Sequence, residues 1–146
     1  MWFFILLIFL IFLDLYSKNL AFVYLQKKIN LLWDNLFLKY TENTGIAFSI
    51  PIEWFFLKII TLILIIWIII YFIKYEYPKK NKLLNLAFVL ILSWAIANWF
   101  ERIFYWKVID FIGVKYFSVF NLADSFITIW AILYFYFLFF LEKNKK

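Results

Sequence analysis

The chain has 146 residues, of which 68% are hydrophobic and 27% aromatic. This composition excludes an ordinary soluble domain and predicts one integral membrane domain over residues 1–146. It contains no Cys and no His, which excludes disulfides, thiol nucleophiles, Ser–His triads and His-bound metals. The net charge of +6 resides largely in loops and tails, so we interpret it as membrane topology and expect no nucleic-acid partner.

Four apolar stretches are long enough to cross a bilayer core of roughly 30 Å, which requires about 20 helical residues. The predicted spans are about 2–25, 54–73, 83–105 and 119–141. The first lacks the basic start and the small-residue cleavage site of a signal peptide, so we expect it to be retained. The sequence therefore predicts an all-α membrane protein built as a four-helix transmembrane bundle.

The segment between the first two spans has the features of a short hairpin. "LFLKYT" (36–41) and "IAFSI" (46–50) have the composition of strands, and "ENTG" (42–45) supplies turn residues between them. We expect a small sheet that lies at the membrane surface.

Lysine positions predict the orientation of the spans. The loop between the second and third spans and the C-terminal tail are both basic, through Lys74, Lys79, Lys80, Lys82, Lys143, Lys145 and Lys146. Because basic loops stay on the cytoplasmic side, we predict a multi-pass protein with both termini cytoplasmic. Segments 26–53 and 106–118 then lie outside.

Polar side chains recur within or beside three spans at helical spacing. They are Asp14 with Lys18, Asn98 with Glu101 and Arg102, and Asn121 with Asp124 and Ser125. Each set shares one helix face, and ionisable residues inside spans are candidates for function. Structural alternatives exist for each set: a structural ion pair for the first, a snorkelling pair at a helix end for Glu101 and Arg102, and a helix N-cap for the third.

Three acids lie near one interface. The predicted topology places Glu101, Asp110 and Asp124 within about one helical turn of the outer rim, whereas a proton-relay transporter would place acids nearer the membrane centre. Two carboxylates at one rim indicate an aspartic-type hydrolase. One acid would be ionised and activate a water, and the other would be protonated and polarise a carbonyl.

Five motifs occur in an order that resembles the lipoprotein signal peptidases, also called signal peptidase II. They are "DLYSK" (14–18), "NTGIAFS" (43–49), "NWFER" (98–102), "VIDF" (108–111) and "FNLADS" (120–125). The resemblance implies an aspartic endopeptidase of the bacterial plasma (inner) membrane, with a small periplasmic β-cradle on its four helices. Such enzymes remove signal peptides from diacylglyceryl-modified prolipoproteins by cleaving before the lipidated cysteine. The resemblance further implies membrane lipids as surroundings, inhibition by globomycin-type peptides, and no metal or cofactor.

The resemblance also implies roles for individual residues. The catalytic pair falls on Asp110 and Asp124. Substrate-binding or supporting positions fall on Asp14, Lys18, Asn43, Gly45, Asn98, Glu101, Arg102 and Asn121. The chain departs from the family where Glu101 replaces an Asp and where "SWAIAN" (93–98) replaces a glycine-rich run. We expect Glu101 to support the site by pairing with Arg102 or by holding Asn98.

Three other functions are compatible with parts of this pattern. The same acids could serve a small proton-coupled transporter. Ser17, Lys18 and Ser125 are compatible with a Ser/Lys peptidase. However, Ser17 and Lys18 are adjacent on a helix, so their side chains point about 100° apart and converge poorly. The presence of Glu101 is compatible with a catalytically inactive relative of the peptidase.

Overall fold

The structure is a computed structural model that describes residues 2–33, 35–45 and 54–142. Its elements are α1 (Trp2–Tyr24), β1 (Ile29–Leu32), β2 (Leu36–Asn43), α2 (Trp54–Tyr71), α3 (Lys82–Phe104), β3 (Val108–Val114), β4 (Val119–Phe120) and α4 (Leu122–Tyr136). Wider π-helical turns continue α2 over Phe72–Glu76 and α4 over Phe137–Glu142, and a 3₁₀ turn follows at Tyr77–Lys79. Within these described ranges, four helices are long and apolar enough to cross a membrane, so the predicted fold class is confirmed.

Helix α3 is the centre of the bundle and packs against the other three helices. Small residues let it approach α4 closely: Ala97 and Ala123 are both fully buried in one apolar cluster. Close packing of this kind stabilises helix pairs in lipid, where the surroundings are as apolar as the interface. Large apolar side chains on the outer faces, such as Phe4 and Ile63, are exposed because lipid is their expected neighbour.

The strands form one antiparallel sheet in the order β1–β2–β3–β4. The central pairing joins β2 to β3, with Leu36 opposite Val114 and Asn43 opposite Val108. A small sheet was expected, but its composition differs from the prediction. Segment 106–118 supplies β3, and the predicted strand 46–50 lies outside the described residues.

Two predicted boundaries are wrong because sheet pairing extends further than expected. Glu42 was assigned to a turn, but β2 continues through Asn43 because both residues pair with β3. The fourth span is predicted to begin at about 119. Val119 and Phe120 instead pair with β3, so α4 begins at Leu122.

The sheet lies at the end of the bundle where α1 and α3 finish and α4 begins. The backbone N–H of Tyr40 in β2 donates to the carbonyl of Leu25, just after α1, at 2.8 Å. Strand β3 also contacts α1 and α3. This junction of sheet and helix ends brings the candidate functional residues together.

Candidate active site

Asp110 lies on β3 and its side chain is only 3% exposed. Its Oδ1 accepts a hydrogen bond from Nδ2 of Asn121 at 2.7 Å, and its Oδ2 accepts from Nδ2 of Asn43 at 3.0 Å. Burial raises the pKa of Asp110 to about 6, and the charge of Asp124 acts in the same direction, whereas the two amide donors oppose the shift. Asp110 is therefore a buried acid that takes up a proton at a higher pH than an ordinary Asp does.

Asp124 lies in the first turn of α4 and takes part in a capping box. Its Oδ2 accepts from the backbone N–H of Asn121 at 3.1 Å, and its own N–H donates to Oδ1 of Asn121 at 3.0 Å. The structural alternative for this pair, a helix N-cap, is thus confirmed. The other oxygen, Oδ1, accepts from the indole N–H of Trp94 at 2.8 Å.

Lys18 forms a buried charge cluster behind the two acids. Its side chain is 1% exposed, and Nζ lies 2.7 Å from Oδ2 of Asp14 and 2.6 Å from Oε2 of Glu101. Nζ also donates to Oδ1 of Asn98 at 2.9 Å. The ammonium group therefore contacts two carboxylates and one amide oxygen. The predicted pairing of Asp14 with Lys18 is confirmed.

Glu101 does not pair with Arg102 as expected. Its second oxygen, Oε1, accepts from the backbone N–H of Ile109, beside Asp110, at 3.4 Å. Arg102 instead donates from Nη2 to the carbonyl of Gly45 at 3.3 Å. Adjacent helical residues point about 100° apart, so Glu101 faces the buried Lys18 while Arg102 faces Gly45. Glu101 is 2% exposed, so the snorkelling alternative is also wrong for it.

Asparagine side chains connect the charge cluster to the acids. Oδ1 of Asn98 accepts from Lys18 and also from Nδ2 of Asn121 at 3.2 Å. The same Nδ2 group donates to Asp110. Asp14, for its part, accepts the backbone N–H of Ala123 through Oδ1 at 2.7 Å, which ties α1 to the start of α4. Because every link is buried or half-buried, the network fixes the relative positions of α1, α3, α4 and β3.

A cavity of about 780 Å³ opens on this network. Its polar lining comprises the predicted residues Asn43, Asn98, Arg102, Asp110, Asn121 and Asp124, together with the hydroxyl side chains of Thr61, Ser118, Ser125 and Thr128. Its apolar lining includes Leu57, Ile60, Leu64, Trp94, Ile127 and Ile129. The structure therefore brings six of the predicted site residues to one surface and places Asp14, Lys18 and Glu101 behind it. Gly45 contacts two lining residues: its N–H donates to Oδ1 of Asn43 at 3.0 Å, and its carbonyl accepts from Arg102.

The arrangement removes support from a Ser/Lys site at Ser17 and Lys18. The hydroxyl of Ser17 donates to the carbonyl of Asp14 at 2.7 Å, while Lys18 is held by its two carboxylates. Across residues 2–33, 35–45 and 54–142, no group of three or more Asp or Glu side chains is placed to hold a metal ion. The polar side chains of the cavity are carboxylates, amides, hydroxyls and the guanidinium group of Arg102.

Sequence reasoning missed two features. Trp94 lies within "SWAIAN" (93–98), and because it precedes Asn98 by four residues it shares the same helix face. The other feature is Glu76, which is 2% exposed. It accepts from Tyr71 at 3.0 Å and pairs with Lys79 at 3.0 Å, after the end of α2. Its position beyond the predicted span gave no sign of burial.

Comparisons with known proteins agree with this architecture. Residues 6–140 match the family described as signal peptidase (SPase) II. The chain is 37% identical over 129 residues to a lipoprotein signal peptidase of Caldanaerobacter subterraneus subsp. tengcongensis, covering 86% of this chain and 87% of that protein. It is 37% identical over 125 residues to a lipoprotein signal peptidase of Shouchella clausii, covering 84% and 81%.

Two solved structures, each described as a bacterial membrane enzyme determined by the in meso method, share the fold. One superposes with a TM-score of 0.86 at 28% identity, covering 99% of this chain and 91% of that one. The other superposes with a TM-score of 0.82 at 26% identity, covering 95% and 93%.

Proposed function

The chain belongs to the signal peptidase II family and removes signal peptides from prolipoproteins, and we propose that it does so as an aspartic endopeptidase whose catalytic pair is Asp110 and Asp124. The observation that carries the proposal is that both acids line one cavity and both are hydrogen-bonded to Asn121. Two carboxylates at a common surface can divide the roles of acid and base.

In this mechanism the two acids act on one water molecule and one peptide bond. Asp124 takes a proton from the water as its oxygen attacks the carbonyl carbon, and Asp110 donates its proton to the carbonyl oxygen. The raised pKa of Asp110 suits it to carry that proton. Proton transfer to the peptide nitrogen then accompanies breakage of the C–N bond, which releases the signal peptide and the new amino terminus.

We propose that Arg102 binds the substrate backbone beside the acids. It lines the cavity, and among the described parts of the chain its Nε atom is buried without a hydrogen-bond partner. A peptide carbonyl is a suitable acceptor for such a donor. Asn43 and Asn98 would complete the polar side of the groove.

The substrate is proposed to be the diacylglyceryl-modified form, cut just before the lipidated cysteine. The apolar lining contributed by α2 and α4 suits acyl chains, while the acids lie at the polar end of the same cavity. Globomycin-type peptides would compete for this space. In a bacterial inner membrane with both termini cytoplasmic, the sheet and the acids would face the periplasm.

The experiment is cleavage of a diacylglyceryl-prolipoprotein by the purified protein in detergent. We expect cleavage without an ion gradient, which a proton-coupled transporter would not perform. The same peptide without the diacylglyceryl group should be cut far more slowly. Folded protein that cuts neither peptide would contradict the proposal and indicate an inactive relative.

A further inference from the structure

Trp94 on α3 makes a direct contact with the proposed catalytic acid on α4. Its indole N–H donates to Oδ1 of Asp124 at 2.8 Å. The ring packs against two apolar clusters of the bundle, one that contains Ile91 and one that contains Phe126. A tryptophan side chain fixed by packing can hold its single N–H in one direction.

The two oxygens of Asp124 are held by donors from different elements. The backbone N–H of Asn121 binds Oδ2 from the start of α4, and the indole of Trp94 binds Oδ1 from α3. One donor would leave the carboxylate able to turn about its terminal bond, which has a broad rotational preference. Two donors on opposite oxygens define the plane of the group.

We propose that Trp94 is a positioning residue for the peptidase reaction, whose indole N–H sets the orientation of the Asp124 carboxylate towards the water it activates. The inference rests on the proposed catalytic role of Asp124. Trp94 also lines the cavity with its ring, so its N–H and its apolar surface have separable effects.

Trp94→Phe separates the two effects, because it removes the N–H and keeps an aromatic ring against the cavity. Hydrogen bonds to charged groups are among the stronger ones in proteins, so we expect kcat to fall about 10- to 100-fold. The KM for the diacylglyceryl-prolipoprotein should stay within about twofold, because the apolar lining remains. Trp94→Ala removes the ring as well, and should raise KM in addition to lowering kcat.

Trp130→Phe is the matched control. Trp130 packs against the same two apolar clusters, stacks on Tyr134 at 5.7 Å and does not line the cavity. Within the described structure its buried Nε1 has no hydrogen-bond partner. The control therefore makes the same chemical change in the same bundle without touching the acid, and should leave kcat within about twofold of the wild type.

The measurement is kcat and KM for all variants at matched amounts of folded protein, verified by thermal unfolding in detergent. If Trp94→Phe does not fold, β-(3-benzothienyl)alanine at position 94 keeps the ring size and replaces the N–H by sulfur, and the same fall in kcat is expected. A kcat for the N–H-deficient protein equal to that of Trp130→Phe would overturn the inference. An Asp124→Asn variant that keeps full activity would instead overturn the proposed function.

Discussion

Lys18 on α1 and Glu101 on α3 form a buried ion pair with Nζ and Oε2 2.6 Å apart. The same ammonium lies 2.7 Å from Asp14, so two carboxylates share one cation inside the bundle. Charges removed from water need such partners, since an uncompensated buried charge costs several kcal/mol. Glu101 is therefore held by a partner 83 positions away in sequence and not by its neighbour Arg102.

Lys18→Met should strongly destabilise the protein, because it leaves Asp14 and Glu101 buried without their cation. Breaking a buried pair in this way costs about 3–5 kcal/mol. Thermal unfolding in detergent measures the loss. Lys107→Met is the matched control. Lys107 pairs with Glu42 at the protein surface, and exposed ion pairs contribute at most about 1 kcal/mol. Equal losses in the two variants would contradict the buried cluster's role.

Asn121→Ala should lower both stability and activity. It removes the N-cap of α4, worth about 0.5–2 kcal/mol, and the amide that binds Asp110. Asn81→Ala is the control, since Asn81 caps α3 by accepting from Leu83 at 2.8 Å, and α3 begins far from the acids. We expect a larger stability loss for Asn121→Ala, because its buried amide also binds Asp110 and Asn98, and at least about a tenfold greater fall in kcat, measured at matched folded protein. Equal activities would leave Asn121 with a capping role alone.

The pKa of Asp110 gives a pH dependence of stability. Burial raises this pKa from 3.8 to about 6, so the folded protein binds the proton more tightly than the unfolded chain. The stabilising contribution is complete below about pH 4 and is lost as pH rises through about 6. Relative to Asp110→Asn, which does not titrate, the wild type should lose about 2 kcal/mol between pH 4 and pH 7. Thermal unfolding at both pH values tests this, and a constant difference would contradict it.

The proposed topology predicts which surfaces reach the periplasm. The native chain has no Cys, so Lys27→Cys and Lys82→Cys each introduce one thiol, at an exposed position on opposite ends of the bundle. An impermeant thiol reagent added to intact spheroplasts should label position 27 and spare position 82 until the membrane is permeabilised. The reverse pattern would invert the proposed orientation.

The sequence predicted those parts of the site that depend on helical periodicity. Asp14 and Lys18 pair because they are four residues apart, and Asn121 with Asp124 caps a helix because both lie where an apolar span begins. The spans themselves follow from length and hydropathy. These relationships are local, so a single sequence contains them.

The remaining parts depend on contacts between distant segments. The β-branched residues of "VIDFIGV" (108–114) favour a strand, but nothing local indicates that it pairs with β2 and places Asp110 beside Asn43. The choice of Lys18 over Arg102 as the partner of Glu101 likewise depends on how α1 packs against α3. Trp94 reaches Asp124 only because small residues bring α3 and α4 close together.

We propose that Asp110 and Asp124, and not Glu101, perform the chemistry. The most direct test compares initial rates of diacylglyceryl-prolipoprotein cleavage by Asp110→Asn, Asp124→Asn and Glu101→Gln at matched folded protein. General acid–base catalysis contributes roughly 10²–10⁴-fold, so both Asp variants should lose at least that much, while Glu101→Gln should keep more than about a tenth of the wild-type rate. An active Asp110→Asn together with a Glu101→Gln variant as inactive as Asp124→Asn would contradict the account and assign the catalytic pair to Glu101 and Asp124.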